Sequence, residues 1–353
     1  MKTKKTINTA LCSFGMSGSV FHAPILDSLS QFKLISILER TKNLSRRNYP
    51  STQLVRSFDE IINDKNVDLA IVNTPNEYHY EMAKSLLNHG KHVVVEKPFT
   101  VNTNEGQELI TLAQNKQLHL SVFHNKRYEG DFIALEKALK NKTFGSLQEV
   151  HFRFDRFRPE VGKKVWKETY KPGAGMLYDL GSHLIDQALY LFGEPNAIKA
   201  SLKIQRPKSK VIDYFDIQLI YNSFHVFLSS TFLSTKPIPK FKIVADEGIY
   251  EKFGNDPQEE QLKTGITPEN EIYGIENEEN CGVFKKNNGE TISVPSEKGC
   301  YEMYYQSIAN SILHQSPLAV SAQEGLNVIK VIEKAMASSK NNTVVDFQKQ
   351  KLS

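Results

Sequence analysis

Ile7-Asn8-Thr9-Ala10-Leu11-Cys12-Ser13-Phe14-Gly15-Met16-Ser17-Gly18 is the stretch on which the fold turns. Ile7–Phe14 is short and apolar enough for a buried strand, Gly15–Gly18 is a turn, and Val20–Leu29 has the spacing of a helix despite Pro24 in its early turns. A glycine turn joining a buried strand to a helix aims free backbone N–H groups at an anion. The dinucleotide fingerprint G-x-G-x-x-G supplies a tight turn, close approach of pyrophosphate and close helix–strand contact. Here Ser13 stands at its first glycine, Gly15 and Gly18 fill the other two, and Phe14, Met16 and Ser17 lie between. Glu39, 21 residues beyond Gly18, ends the next strand, where a carboxylate binds a ribose 2′-hydroxyl. A merely structural glycine turn is the alternative.

Outward from that turn the chain alternates. Strands are predicted at Phe32–Leu38, Val67–Val72, His92–Val95 and Leu118–Phe123. Helices are predicted from Phe58 to Ile62, Tyr78 to Asn88 and Thr103 to Asn115. Short apolar strands separated by helices mean parallel βαβ units. Beyond residue 125 the character changes. Gln148–Phe157, Ile198–Gln205, Phe215–Tyr221, His225–Leu233 and Lys240–Ala245 alternate as longer strands, interrupted by a helix over Met176–Phe192. Gly248–Gly289 looks like a hairpin-rich excursion or long loop. Ala322–Met336 closes the domain as an amphipathic helix with Leu326, Ile329, Ile332 and Met336 on one stripe. The expected fold class is α/β: an N-terminal Rossmann doubly wound parallel sheet over residues 1–124, then an α+β domain with a large, mostly antiparallel open sheet over 125–353.

Composition narrows the function classes. The 353 residues are 40% hydrophobic and 24% charged, and a net charge of +4 spread along the chain lacks the basic density of a nucleic-acid binder. No run approaches the ~18 apolar residues of a membrane span. Three scattered cysteines, Cys12, Cys281 and Cys300, suit neither a disulfide framework nor a metal site. Met1–Lys5 and the apolar residues after it imitate a secretory leader, but Asn8, Ser13, Gly15, Ser17 and Gly18 interrupt the run. A cytoplasmic protein, without nucleic-acid or membrane partners, is expected.

The chemistry gathers at four places. Glu39, Arg40 and Thr41 are ambiguous: the carboxylate suits NAD, whereas the guanidinium, with Arg46 or Arg47, would clamp the 2′-phosphate of NADP. Charge alone leans to NAD, and a solvated loop charge is the alternative for Arg40. Asn73-Thr74-Pro75-Asn76 and Glu96-Lys97-Pro98 follow parallel strands, where open α/β sheets bind ligands. On the Met176–Phe192 helix, Asp179, His183, Asp186 and Tyr190 form a polar stripe beside the apolar Leu180, Leu184, Ala188 and Leu191. An Asp one turn before a His can orient and polarise the imidazole for general-base work. A satisfied helix-face histidine is the alternative, and no further ligands support a metal there. Arg153, Arg156 and Arg158, with Trp166 and Tyr170 following, offer guanidinium forks and aromatic faces to a polyhydroxylated ring, or else a charged edge strand.

Together the glycine turn, Thr74-Pro75 with His79 downstream, Glu96-Lys97-Pro98 and Asp179-Leu-Gly-Ser-His183 resemble the glucose–fructose oxidoreductase/inositol dehydrogenase (Gfo/Idh/MocA) family over essentially the whole chain. Phe21-His22-Ala23-Pro24, Ser121–Arg127, Arg156–Pro159 and Tyr178–Gln187 are similar to its branch of NADP-dependent scyllo-inositol dehydrogenases. The resemblance implies hydride transfer between NAD or NADP and a secondary hydroxyl of an inositol, polyol or sugar. Lys97 would hydrogen-bond the reacting oxygen, and His183 would move the hydroxyl proton with Asp179 tuning it. Asn73, Thr74, Asn76, His79, Glu96 and Asn125 would line the cofactor side, with Arg127 added to the substrate contacts. It also implies a homodimer or homotetramer. Two rivals remain: a nucleotide-binding sensor without turnover, and an enzyme that retains NAD to cleave or isomerise a glycoside.

Overall fold

The apolar runs of the first third become strands β1 (Ile7–Leu11), β2 (Phe32–Leu38), β3 (Gln53–Val55), β4 (Leu69–Val72), β5 (His92–Val95) and β6 (Leu120–Val122) in the computed structural model, which describes residues 6–162 and 169–348. Between them lie α1 (Ala23–Asp27), α2 (Phe58–Asn63), α3 (His79–Asn88) and α4 (Thr103–Asn115). The strands pair in the order β3-β2-β1-β4-β5-β6 and every pairing is parallel. Leu69, Ala70, Ile71 and Val72 are all buried, as expected of strands covered on both faces. The strand order reverses at β1 and β4. The crevice outside their carboxyl ends is where such sheets take ligands.

The rest of the chain runs α5 (Gly130–Lys140), β7 (Leu147–Arg153), α6 (Ser182–Phe192), β8 (Ala197–Lys203), β9 (Tyr214–Ile220), β10 (His225–Thr231), β11 (Phe241–Ala245), β12 (Gly248–Lys252), α7 (Gln258–Lys263), β13 (Gly282–Lys286), β14 (Thr291–Val294), α8 (Glu302–His314), α9 (Ala322–Asn341) and β15 (Val345–Asp346). Its nine strands order as β14-β13-β12-β11-β7-β10-β9-β8-β15, antiparallel except where β10 runs parallel to β7. Val150, Phe152, Phe215, Ile217, Leu219, Val226 and Leu228 are buried on alternate positions. Their neighbours His151, Gln218 and Phe227 are half-buried, the alternation of a sheet covered on one side.

The expected fold class is present, but two compact units replace two contiguous spans. The first runs through Tyr128 and takes back Pro257–Gly274 and Gly299–Leu326; the second holds Glu129–Asp256, Ile275–Lys298 and the chain from Asn327 onward. The chain thus leaves the first unit near the expected boundary at residue 125 and returns to it twice. Burial explains the return. Leu262, Tyr273, Tyr301, Tyr304, Tyr305 and Ile308 share one core with Ile7, Leu11, Phe32 and Phe123. Gln258 ties the segments together, donating to Tyr128 O at 3.0 Å and accepting from Tyr301 N at 2.8 Å.

Local differences have similar causes. The helix expected over Val20–Leu29 is one π turn at Gly18–His22 followed by the short α1, with Pro24 in its first turn. Gly248–Gly289, expected as hairpins or loop, holds β12, α7 and β13. Met336 is exposed rather than part of the buried stripe of α9, where Val328, Val331 and Ala335 join Ile329 and Ile332.

Candidate active site

In the first unit, Gly18 packs so closely that a Cβ there would overlap Ser13 O and lie 2.8 Å from Asn73 Nδ2. Asn73 Nδ2 donates to Ser13 O at 2.8 Å, locking the turn after β1 to the loop after β4. Gly15 N donates to Ser13 Oγ at 3.3 Å, so the serine hydroxyl organises the turn from the position of the missing glycine. Gly15 and Met16 are exposed and Ser17 is half-buried. The turn fits a dinucleotide: a Cβ at Gly15 would meet nothing closer than 3.7 Å, and Asn73 Oδ1 is buried with no hydrogen-bond partner among the described residues. Gly18→Ala is therefore expected to cost about 1–3 kcal/mol of stability through overpacking and to weaken dinucleotide binding more than tenfold. Thermal melting and a fluorescence titration with NADPH read both. Unchanged affinity would remove this turn from the binding site.

Phe14 does not share that exposure. Its ring is 9% exposed and meets Tyr49 edge-on at 6.0 Å, so its side chain belongs to the core.

At the end of β2 the Glu39 carboxylate is engaged by its own chain. Glu39 is buried, and its carboxylate accepts from Ser45 N at 2.8 Å, Ser45 Oγ at 2.6 Å and Leu44 N at 3.0 Å. It thus caps the 3₁₀ turn Ser45–Arg47. Burial alone would raise this carboxyl, but the Ser45 and Leu44 bonds, with Arg56 nearby, hold it below its ordinary value. Arg56 also pins the loop, donating to Glu39 O at 2.7 Å and Lys42 O at 2.6 Å. Arg40, Thr41, Arg46 and Arg47 stay exposed.

At the end of β4, Thr74 and Asn76 are half-buried, and Thr74 Oγ1 lies 3.5 Å from Met82 Sδ. His79 is buried, with Nδ1 2.9 Å from Pro98 O and Nε2 3.0 Å from Thr74 O. Its ring joins the loops after β4 and β5. Burial lowers its proton affinity, opposed by the two carbonyls and by Glu96. After β5, Glu96 is nearly buried and accepts from Lys97 N at 3.0 Å. Lys97 is half-buried, and the Lys97–Pro98 peptide is cis. Asn125 is buried and opens a 3₁₀ turn over Asn125–Tyr128. Arg127 pairs with Glu324 at 2.6 Å and reaches Ala319 O at 3.4 Å. Its Nη1 is thus engaged within the first unit, on the half-exposed Glu324 side chain.

In the second unit, the turn before the Asp-His helix depends on Gly175, whose φ is +94° and whose Cβ would lie 2.9 Å from Ile212 O. Met176 N donates to that same carbonyl at 2.7 Å. The expected single helix is a π turn over Leu177–Gly181 continued by α6. Such widened turns recur at functional sites. Asp179 lies exposed within the π turn, while His183 at 7% exposure, Asp186 at 1% and Gln187 at 0% face inward. Tyr190 is partly exposed and donates to Glu136 at 2.9 Å. The stripe read from spacing is therefore unevenly exposed: His183 and Asp186 are buried, Asp179 and Tyr190 exposed.

Arg156 is half-buried, its guanidinium 5.0 Å over the Phe154 ring, and Arg158 and Tyr170 are exposed. Trp166 lies outside the described residues. Arg206, missed in the sequence, positions this loop: it pairs with Asp213 at 2.9 Å, stacks 4.4 Å over Phe232 and donates to Glu160 O at 3.2 Å. Asp213, seven residues on, is a nearby partner, whereas Glu160, through which it reaches the loop, is 46 residues away.

The site residues thus divide between units, the dinucleotide turn and Lys97 in the first, Asp179 and His183 in the second. Among the described residues, no helix is long and apolar enough to cross a membrane. The description of an oxidoreductase-family NAD-binding Rossmann fold matches residues 7–124, and that of the oxidoreductase-family C-terminal alpha/beta domain matches residues 136–347. The chain belongs to the Gfo/Idh/MocA oxidoreductase family. Members similar to it over their length include scyllo-inositol 2-dehydrogenase (NADP(+)) IolW of Bacillus subtilis, 36% identical with 96% of each chain covered. An uncharacterized oxidoreductase, C115.03 of Schizosaccharomyces pombe, is 37% identical with 97% of this chain and 99% of that one covered. The solved structure of Bacillus subtilis yvaA has a TM-score of 0.93 at 35% identity, covering 98% and 99% of the two chains. As a Gfo/Idh/MocA protein this chain is an NAD(P)-dependent dehydrogenase, with NAD and NADP both compatible with family membership.

Proposed function

We propose that this Gfo/Idh/MocA enzyme oxidises and reduces a secondary hydroxyl of a polyhydroxylated ring, an inositol foremost, and that it uses NADP. Full-length similarity to a scyllo-inositol dehydrogenase carries the substrate class, and Lys97 and His183 supply the groups the chemistry needs. A bound nicotinamide supplies the hydride acceptor in oxidation and the donor in reduction. Lys97 hydrogen-bonds the reacting oxygen and stabilises charge that develops on it. His183 accepts the hydroxyl proton and returns it in the reverse direction, and Asp179 tunes that imidazole. Arg156, Arg158 and Tyr170 offer polar and aromatic contacts to ring hydroxyls.

Cofactor choice rests on Glu39. Both its oxygens are held by Ser45 and Leu44, so the carboxylate that would select a ribose hydroxyl is turned into the loop. Exposed Arg40 and Thr41 are left to meet a 2′-phosphate. NADPH is expected to bind at least about tenfold tighter than NADH, roughly 1.4 kcal/mol, and Arg40→Ala to erase the preference by weakening NADPH alone. Equal affinities in the native protein, or an unchanged ratio in Arg40→Ala, would defeat this choice.

The test of the activity is a screen of inositols, polyols and aldoses with NAD and NADP separately, read at the reduced-nicotinamide absorbance. A rise with scyllo-inositol or a related cyclitol and NADP is expected. Tight dinucleotide binding without a rise on any substrate would shift the reading to a sensor, or to an enzyme that regenerates its cofactor within each cycle.

A further inference from the structure

Behind the Glu96-Lys97-Pro98 loop lies a buried chain of three polar side chains drawn from distant parts of the first unit. Tyr305 Oη is 2.6 Å from His22 Nδ1, and His22 Nε2 is 3.0 Å from Glu96 Oε1. The other Glu96 oxygen accepts from the Lys97 amide at 3.0 Å. His22 and Tyr305 are fully buried and Glu96 is 9% exposed. One arrangement of hydrogens satisfies every group. A carboxylate only accepts, so Nε2 carries the hydrogen donated to Glu96, and Nδ1 accepts from the Tyr305 hydroxyl. Burial, reinforced by Tyr304 and Glu96, holds the phenol protonated far above its ordinary range.

We propose that Tyr305 and His22 are positioning residues for the reaction, a buried relay that fixes the Glu96 carboxylate against the backbone of Lys97 and so sets the place and electrostatic surroundings of the lysine. The proposal rests on the reading of Lys97 as the residue that meets the reacting oxygen. Glu96 faces His22, Lys97 and His79, and its charge also acts on Tyr304 and Tyr305. Burial alone would push this carboxyl up, but the His22 bond, with Lys97 and His79 nearby, brings it below its usual value. The negative charge beside Lys97 therefore depends on a donor that makes no contact with the solvent-facing site. The ring of His22 is itself clamped, 4.6 Å from Phe123 and edge-on to Tyr305 at 6.2 Å, so its nitrogens have little freedom to turn away.

Stitching α8 to the sheet would account for the same contacts, but it predicts different behaviour. In the relay, removing the His22 donor leaves burial unopposed, so the Glu96 carboxyl rises and protonates at higher pH. His22→Leu is expected to lower kcat at pH 7 about tenfold or more, the cost of a lost bond to a charged group. It should also move the acid limb of the kcat profile upward and leave NADPH affinity within threefold. Glutamine reaches the position of Nε2 with an N–H, so His22→Gln is expected to restore kcat to within threefold of the native enzyme. Tyr305→Phe keeps the ring and its packing while removing only the hydroxyl, and is expected to lower kcat about threefold with KM unchanged.

The kinetic arm uses scyllo-inositol with NADP as the probe. A second arm needs no turnover. In the apo protein, isotope-edited infrared spectroscopy, with Glu96→Gln subtracted, reads the Glu96 carboxyl directly as pH falls, in the native chain and in His22→Leu, His22→Gln and Tyr305→Phe. An upward move of its titration in His22→Leu, reversed in His22→Gln, supports the relay. Identical titrations in all four proteins, with only melting temperatures changed, overturn it. If no cyclitol is turned over while the infrared titration still moves, the substrate assignment fails and the relay stands.

Discussion

Lys97→Ala should lower kcat by about 10²–10³-fold, the usual cost of losing a donor to a developing oxyanion, while dinucleotide affinity changes by less than about tenfold, roughly 1.4 kcal/mol. The separation follows from how the loop is held. The backbone of Lys97 is fixed through its amide on Glu96, and the following Pro98 carbonyl is engaged by His79. Neither bond uses the lysine side chain, so truncation removes the ammonium from the reacting oxygen and leaves the loop in place. Single-turnover rates with NADP and scyllo-inositol, set beside NADPH titrations, measure the two quantities apart. Turnover at the native rate in the alanine variant would end the catalytic assignment of Lys97.

The second large effect is on stability. Lys240 is buried in the second unit, with Nζ 2.7 Å from Glu129 and 2.6 Å from Asp131 at the start of α5, both carboxylates themselves buried. Burial would lower this ammonium's proton affinity, but the two carboxylates outweigh it and raise the group far above its ordinary value. A raised folded-state value contributes its stability at every pH below the unfolded one, so the neutral range holds the full effect. Lys240→Ala is expected to destabilise by about 3–5 kcal/mol, because two desolvated carboxylates are left facing one another. Adding Glu129→Gln and Asp131→Asn should restore much of that loss in thermal or denaturant unfolding. A triple variant no more stable than the single one would show that packing, not charge, is responsible.

The parts of the molecule legible in the sequence are those set by neighbours in the chain. The strands β1, β2, β4, β5 and β6 follow from local apolar runs, and the glycine turn from residues five apart. Gly18 does pack where the fingerprint requires it. What the residues could not disclose is commitment to distant partners. Arg127 looked available because Glu324, which takes its guanidinium, lies 197 residues away. Glu39 sits at the expected place, yet the direction of its carboxylate depends on how the six residues after it curl. His22 shows no local sign of its bond, because its partner Tyr305 is 283 residues off. Tyr304, Tyr305, Ile308 and Ile312 do carry a helical spacing, the one local signal that would have revealed α8.

The return of Gly299–Leu326 to the first unit has a consequence for how the protein is made. Strands β1 to β6 are complete by Val122, yet Tyr301, Tyr304, Tyr305 and Ile308, which cover part of their core, are translated much later. At about 5–20 residues per second, the intervening stretch of nearly 180 residues occupies the ribosome for roughly 10–35 seconds. During that interval Phe32 and Phe123 lack the aromatic neighbours that cover them in the finished protein. The nascent sheet therefore presents an apolar face to its surroundings or to a chaperone, and the nucleotide half reaches its final shape only after Ile308 has been made.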